Sequence, residues 1–169
     1  GGGLGGTTRG MTMSNLREVK QIAVRGMPSS LYKVDQIRAV SVILVLFGLP
    51  ADLTGSILAH EAMHAWIKLT KSFPFSLPPK IEEGICQVIA DKFLETTSHS
   101  HFMRASDAMS DNEFDAMKNE DNLRASFRHQ IATDSSPIYG DGFRELNKAT
   151  EALDLHTVLE YIKDNQKIP

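Results

Sequence analysis

Cysteine is nearly absent from this sequence of 169 residues, in which Cys86 stands alone. One thiol cannot form an internal disulfide, and an unpaired thiol is typical of proteins in a reducing compartment. We therefore expect an intracellular location, in the cytoplasm or alternatively in the nucleus.

Long apolar runs and clusters of basic residues are absent as well. The longest apolar stretch, residues 40–49, is interrupted by Ser41 and Gly48 and is too short to cross a bilayer. The formal net charge is -3, and no group of lysines and arginines could bind a phosphate backbone. We therefore expect neither a membrane nor a nucleic acid as a partner.

The N-terminal segment GGGLGGTTRG lacks the apolar stretch of a secretory signal and has the composition of a linker. We expect residues 1–15 to be a flexible tail or linker. Residues 16–169 then form one domain, which is long enough to bury a core.

The residue pattern predicts a mostly helical domain. Residues 40–48, VSVILVLFG, are rich in β-branched side chains and predict a buried strand. After a Gly-Leu-Pro break, a helix is predicted to begin between Asp52 and Thr54 and to end near Leu69. Further helices are predicted at 81–95, 113–132 and within 143–163, with loops at 71–80 and 96–112. The predicted fold class is α+β, mostly helical with a small sheet before the first long helix.

Residues 60–64, HEAMH, form an HExxH motif on that first helix. Residues four apart lie on the same face of a helix, so the imidazoles of His60 and His64 can bind one metal ion. Glu61 is rotated by roughly 100° about the helix axis. Its carboxylate can therefore lie beside the metal and take a proton from a zinc-bound water. The motif predicts Zn²⁺ as cofactor, His60 and His64 as ligands and Glu61 as catalytic base.

A catalytic zinc ion needs a third protein ligand and one open position. The metzincin pattern is excluded, because Ile67 and Thr70 stand where it requires glycine and histidine. The remaining candidates are Glu82, Glu83, His99, His101, His129 and His156.

The segments HEAMHAW and EEG resemble the gluzincin pattern HExxH-x18-E and the HExxHxW…NEG arrangement of zinc aminopeptidases. The resemblance implies a minimal gluzincin, or zincin-like, domain with Glu83 as the third ligand. Glu82 is the alternative ligand; otherwise it is a solvated carboxylate at a helix start. Gln87, one turn after Glu83, could hydrogen-bond to a ligand.

A longer stretch is similar to one family. The segments VILVLFGLPADLTGSILAHEAMHAWIKL, IEEGICQVIADKFLE and FRHQIATDSSPIYGDGFRELNKA resemble the C-terminal peptidase domain of the plant DA-one and DA-one-related proteins, over residues 35–169. In that family a LIM domain and ubiquitin-interacting motifs lie upstream, and ubiquitylation activates the peptidase. The resemblance implies a role in a ubiquitin-regulated growth pathway. The implied partners are protein substrates and ubiquitin or ubiquitin-ligase components. A chain with one cysteine cannot hold the zinc sites of a LIM domain, so we expect the catalytic module alone.

Other residues have two interpretations. Tyr139 and His129 are candidates to donate a hydrogen bond to the oxyanion of peptide cleavage; alternatively, Tyr139 packs against a helix and His129 lies on the surface. Residues 42–47 are either a substrate-binding strand or a plain core strand. Three further expectations are a buried, inert Cys86, a Trp66 that packs in the core, and solvated histidines at positions 99, 101 and 156.

The function we expect is that of a zinc-dependent endopeptidase that cleaves intracellular proteins. One alternative is a zinc aminopeptidase, which needs an acidic subsite for the substrate amine; the sequence does not identify one. The other alternative is a catalytically latent, zinc-stabilised interaction module. The intact Glu61 argues against that module, because a structural zinc site has no use for a base.

Overall fold

Two paired strands and five helices make up the described part of the chain. The structure is a computed structural model and describes residues 9–19, 35–102 and 111–169. The elements in chain order are β1 (Gly10–Val19), β2 (Asp35–Val45), α1 (Ala51–Leu69), α2 (Pro79–Phe102), α3 (Asp111–Thr133), α4 (Tyr139–Ala152) and α5 (Leu155–Asn165). The predicted α+β class is confirmed, with the small sheet preceding the helices. Within these ranges no helix is long and apolar enough to cross a membrane.

The sheet begins earlier than the sequence predicted. β1 starts at Gly10, inside the segment that we expected to be a flexible tail, and pairs antiparallel with β2. β2 includes most of the predicted strand and ends before Gly48, whose φ of 84° lies in the left-handed region that glycine adopts without strain. Residues 1–8 of the predicted tail lie outside the described residues, as do residues 20–34.

α2 continues past its predicted end, so the loop predicted at 96–112 is wrong for its first residues. The hydroxyls of Thr96 and Thr97 donate hydrogen bonds to the carbonyl oxygen of Phe93, at 2.9 and 2.8 Å. Such bonds to the preceding turn keep short polar side chains compatible with a helix. The weak apolar pattern after residue 95 therefore does not mark the end of the helix, which continues to Phe102.

α4 begins at Tyr139, four residues before the predicted start. Ser136 Oγ accepts hydrogen bonds from the backbone N–H groups of Tyr139 and Gly140, at 2.9 and 3.2 Å. A serine in this position satisfies N–H groups that have no partner inside the helix. In the segment SSPIYGDG, residues 135–138 therefore precede the helix and residues 139–142 belong to it.

The apolar core lies among α1, α2, α4 and α5. Its most deeply buried apolar side chains are Ile67, Ile85, Val88, Leu146, Val158 and Ile162. The proline-rich loop after α1, expected on the surface, adds Phe73 and Leu77, which are only 2% and 4% exposed. Trp66, expected to be a core residue, is 43% exposed, and its ring packs edge-to-face on Phe73.

Two arginine–aspartate pairs join α3 to the helices that carry HExxH and Glu83. Arg124 is 1% exposed, and its Nε donates to Asp52 Oδ2 on α1 at 2.6 Å. Arg128 donates two hydrogen bonds to the buried Asp91 on α2, at 2.7 and 3.0 Å. The two bonds between Arg128 and Asp91 fix orientation as well as distance. Together with the bond between Arg124 and Asp52, they hold α3 against both helices.

α2 and α4 cross closely at Gly84 and Gly142. A Cβ added at Gly142 would lie 2.4 Å from the carbonyl oxygen of Lys80, and one added at Gly84 would lie 2.6 Å from the backbone of Gly142. Backbone atoms cannot move aside as the end of a flexible side chain can. The crossing therefore requires glycine at both positions.

We expect Gly142→Ala to lower the free energy of unfolding by about 1–3 kcal/mol, the usual cost of overpacking. The loss should appear although alanine favours a helix by roughly 0.5–1 kcal/mol over glycine. Urea unfolding followed by circular dichroism measures it. Lys148→Ala, at an exposed position of the same helix, is the control and should stay within about 0.5 kcal/mol of the parent. Equal stability of Gly142→Ala and the parent would contradict the close crossing.

Candidate metal centre

The two histidines of the HExxH motif meet on one face of α1. Their Nε2 atoms are 3.2 Å apart, and their ring centroids are 5.0 Å apart at an interplanar angle of 66°. His60 and His64 reach this arrangement because they are separated by one helical turn. The helix therefore aims two nitrogen ligands at one point.

Glu83, on α2, completes a triangle with these imidazoles. Its Oε2 atom lies 3.3 Å from His60 Nε2 and 3.3 Å from His64 Nε2. Three ligands at about 2.0–2.1 Å from a tetrahedral zinc ion are separated from one another by roughly 3.3 Å. The donor set and its spacing therefore fit a zinc ion, and Glu83, His60 and His64 could hold it.

Glu82, the alternative ligand, points to the other side of His64. Its Oε1 atom lies 3.0 Å from His64 Nδ1 and 2.7 Å from Lys68 Nζ. Burial would raise the pKa of Glu82, but hydrogen bonds from His64 and Lys68 lower it below its ordinary value. A carboxylate on the second nitrogen of a ligating histidine fixes the ring and its tautomer. Glu82 is thus placed to orient His64 rather than to meet the same ion.

Cys86 lies close to the same two histidines. It is 0% exposed, and its Sγ lies within 4.8 Å of ring nitrogens of His60 and His64. Burial raises the pKa of Cys86 to about 11, which keeps the thiol protonated. The 3.3 Å contacts that Glu83 makes with both imidazoles match the ligand spacing of a tetrahedral zinc ion. The predicted burial of the thiol is confirmed.

Glu61 is buried beside the triangle, 6% exposed, and it lines the same cavity as the two histidines. Thr12 on β1 lies against it, with Oγ1 at 2.8 Å from Glu61 Oε2 and 3.0 Å from the Glu61 carbonyl oxygen. No pattern in the sequence indicates this contact, because it joins residues 49 positions apart through a strand in the predicted tail.

The cavity around these residues has a volume of about 700 Å³. Residues from β1, α1, α2, α3 and the start of α4 line it, Gln87 among them. Tyr139 also lines it, with 40% of its surface exposed. His129 does not belong to this lining; it is an exposed residue of α3. His156 is exposed, whereas the side chains of His99 and His101 lie outside the described part of the structure.

Charges in the cavity favour a bound cation. Burial would raise the pKa of Glu83, but hydrogen bonds from His60 and His64 lower it to about 2. Burial raises the pKa of Tyr139, and the nearby charge of Glu83 raises it further. Glu83 is therefore ionised at neutral pH, as a metal ligand must be, while Tyr139 keeps its phenolic proton and can donate a hydrogen bond.

Comparison with known proteins gives one consistent result. The family model described as "DA1-like: Protein DA1" matches residues 3–165. Protein DA1 of Arabidopsis thaliana is 38% identical over 96% of this chain and 33% of its own length. Protein DA1-related 1 of the same species is 38% identical over 92% of this chain and 31% of its own length. The LIM domain-containing protein HDR3 of Oryza sativa subsp. japonica is 37% identical over 92% of this chain and 35% of its own length.

The chain thus spans about a third of the length of these relatives. No solved structure gives a significant match.

The burial of Cys86 predicts that iodoacetamide will not react with the folded chain. At pH 8 we expect alkylation to be at least tenfold faster in urea than in buffer, because a fully buried thiol reacts only after opening. Mass spectrometry against time measures the reaction at a single site, since there is one cysteine. Equal rates in the two solvents would contradict the buried position.

Proposed function

The chain belongs to the DA1-like family, and we propose that it is a zinc-dependent endopeptidase acting on intracellular proteins. His60, His64 and Glu83 hold the metal, and Glu61 moves the proton. One observation carries the proposal: a triangle of two imidazole nitrogens and one carboxylate oxygen, with edges of 3.2–3.3 Å, in an open cavity that also contains Glu61.

Zinc, when bound, supplies a Lewis acid that activates water and polarises the scissile carbonyl. The protein provides the proton transfer. Glu61 is the one carboxylate of the HExxH motif, and it does not belong to the triangle. It accepts a proton from the attacking water and delivers it to the leaving amine. Its burial keeps bulk water from competing for that proton.

Tyr139 is the proposed donor to the oxyanion that forms during cleavage. It lines the cavity, and its raised pKa keeps the phenol protonated. A positioned donor of this kind stabilises negative charge that develops only in the transition state. His129, the other residue predicted for this role, does not line the cavity. We therefore propose Tyr139 alone as the oxyanion donor.

The position of Glu82 favours an endopeptidase over an aminopeptidase. An aminopeptidase needs a carboxylate that is free to bind the substrate amine. Glu82 is engaged by His64 and Lys68, and Asp134 Oδ1 accepts a hydrogen bond from the backbone N–H of Ser136 at 2.6 Å. Glu82 is therefore not free to bind an amine, whereas Asp134, with one hydrogen bond on one oxygen, keeps acceptor capacity.

The partners are inferred from family membership alone. Proteins are the proposed substrates, and ubiquitin or ubiquitin-ligase components are the proposed regulators.

The alternative, a catalytically latent module, differs from the enzyme in one measurable property: it binds zinc and does not cleave.

We expect Glu61→Gln to bind zinc as the parent does and to lose cleavage by a factor of about 10²–10⁴, the usual contribution of a general base. Release of fluorescent peptides from labelled, unfolded casein measures the rate, and elemental analysis measures about one zinc per chain. Asp164→Asn, an exposed substitution on α5 with the same change of charge, is the matched control. Cleavage by Glu61→Gln at the parent rate would eliminate Glu61 as the base. A zinc-loaded parent that does not cleave would favour the latent module.

Three variants test the ligand set. Glu83→Ala should lose zinc more severely than Glu82→Ala, for which we expect a roughly 10–100-fold weaker affinity, while Cys86→Ala should bind zinc as the parent does. Competition with a chromophoric chelator measures the three affinities. Full retention of zinc by Glu83→Ala, or its loss in Cys86→Ala, would assign the third position to another residue.

A further inference from the structure

We propose that Thr12 is a positioning residue for the base, holding the carboxylate of Glu61 in place from the neighbouring strand. The inference rests on the proposed function, because it concerns the residue that moves the proton there. The proton transfer then depends on β1 as well as on the HExxH helix and the triangle of ligands.

The first observation is a pair of contacts from a single hydroxyl. Thr12 Oγ1 lies 2.8 Å from Oε2 of Glu61 and 3.0 Å from the carbonyl oxygen of the same residue. Glu61 is only 6% exposed, so its carboxylate has little water to bind in place of the hydroxyl. A hydrogen bond to a buried carboxylate is also stronger than one between neutral groups.

The second observation is the close approach of the strand to the helix. A Cβ added at Gly10 would lie 2.6 Å from Ile57 Cγ2 and 2.7 Å from Glu61 Oε1. The backbone of β1 is therefore in contact with α1 at the level of Glu61. Gly10 permits this approach, and Thr12, two residues further along the same face of the strand, reaches the carboxylate.

The hydroxyl of Thr12 has two acceptors on the same residue. Oγ1 lies within hydrogen-bond distance of both Oε2 and the main-chain carbonyl oxygen of Glu61. The contact therefore ties the carboxylate to the backbone of its own helix, and it holds the side chain where it lines the cavity.

Thr12→Val removes the hydroxyl and keeps the shape of the side chain. We expect kcat on labelled, unfolded casein to fall about tenfold, the effect of losing one charge-assisted hydrogen bond. KM should change less than twofold, and the zinc content should stay that of the parent. Thr12→Ser restores the hydroxyl and should recover most of kcat. Asn15→Ala is the control on β1, because the Asn15 side chain binds Ser41 rather than α1.

A stability cycle tests the contact without any turnover. Thr12→Val and Glu61→Ala should not be additive in urea unfolding of the zinc-free chain, because either substitution alone breaks the same contact. Additive effects would overturn the proposal. A Thr12→Val variant with the kcat of the parent would also overturn the proposal. Faster cleavage by this variant would overturn it too, because Thr12 would then restrain the base.

The two proposals fail in different ways. A parent that neither binds zinc nor cleaves casein would refute the proposed function, and the stability cycle would still decide the contact. A parent that cleaves while Glu61→Gln does not, together with a fully active Thr12→Val, would refute the role of Thr12 alone.

Discussion

The structure depends on the contact that brings Glu83 against His60 and His64. Two imidazole nitrogens and a carboxylate oxygen lie within 3.3 Å of one another, in a partly buried position where such groups are costly without a cation or hydrogen-bond partners. The contact is possible only if α1 and α2 are packed at a fixed separation and rotation. Other polar contacts hold these two helices and the loop between them in place.

Several of these contacts act on the segment between α1 and α2. Arg38 Nη1 donates to the carbonyl oxygens of Thr70 and Phe73, at 2.8 and 2.7 Å. Lys68 reaches from α1 both to the Phe75 carbonyl oxygen and to Glu82. A proline-rich loop has few backbone N–H groups to satisfy, so its carbonyls are available to these cations. Side chains from β2 and α1 thus hold the loop in place.

The local parts of the site could be predicted from the sequence, whereas the long-range parts could not. HExxH is read from helical spacing, and the family pattern selects Glu83. The contact of Thr12 with Glu61 could not be predicted, because packing between residues 49 positions apart leaves no local signal in the sequence. Helical spacing could have excluded His129 from the site. The cavity is lined by Phe127, Gln130 and Ile131 of α3 and by Asp134 directly after it. These residues are spaced as one helical face, and position 129 falls on another.

The proposed site draws on two parts of the fold that differ in how well they are buried. His60, His64 and Glu83 stand on helices that share the apolar core. Thr12 stands on a strand of a two-stranded sheet, whose other face leaves Met11, Met13 and Leu44 between 46% and 49% exposed. Elements with less buried apolar surface open at a lower free-energy cost than the core. The proposed metal binding and the proposed positioning of the base therefore depend on elements of different stability. A displacement of β1 would break the contact between Thr12 and Glu61 and leave the contacts among His60, His64 and Glu83 in place.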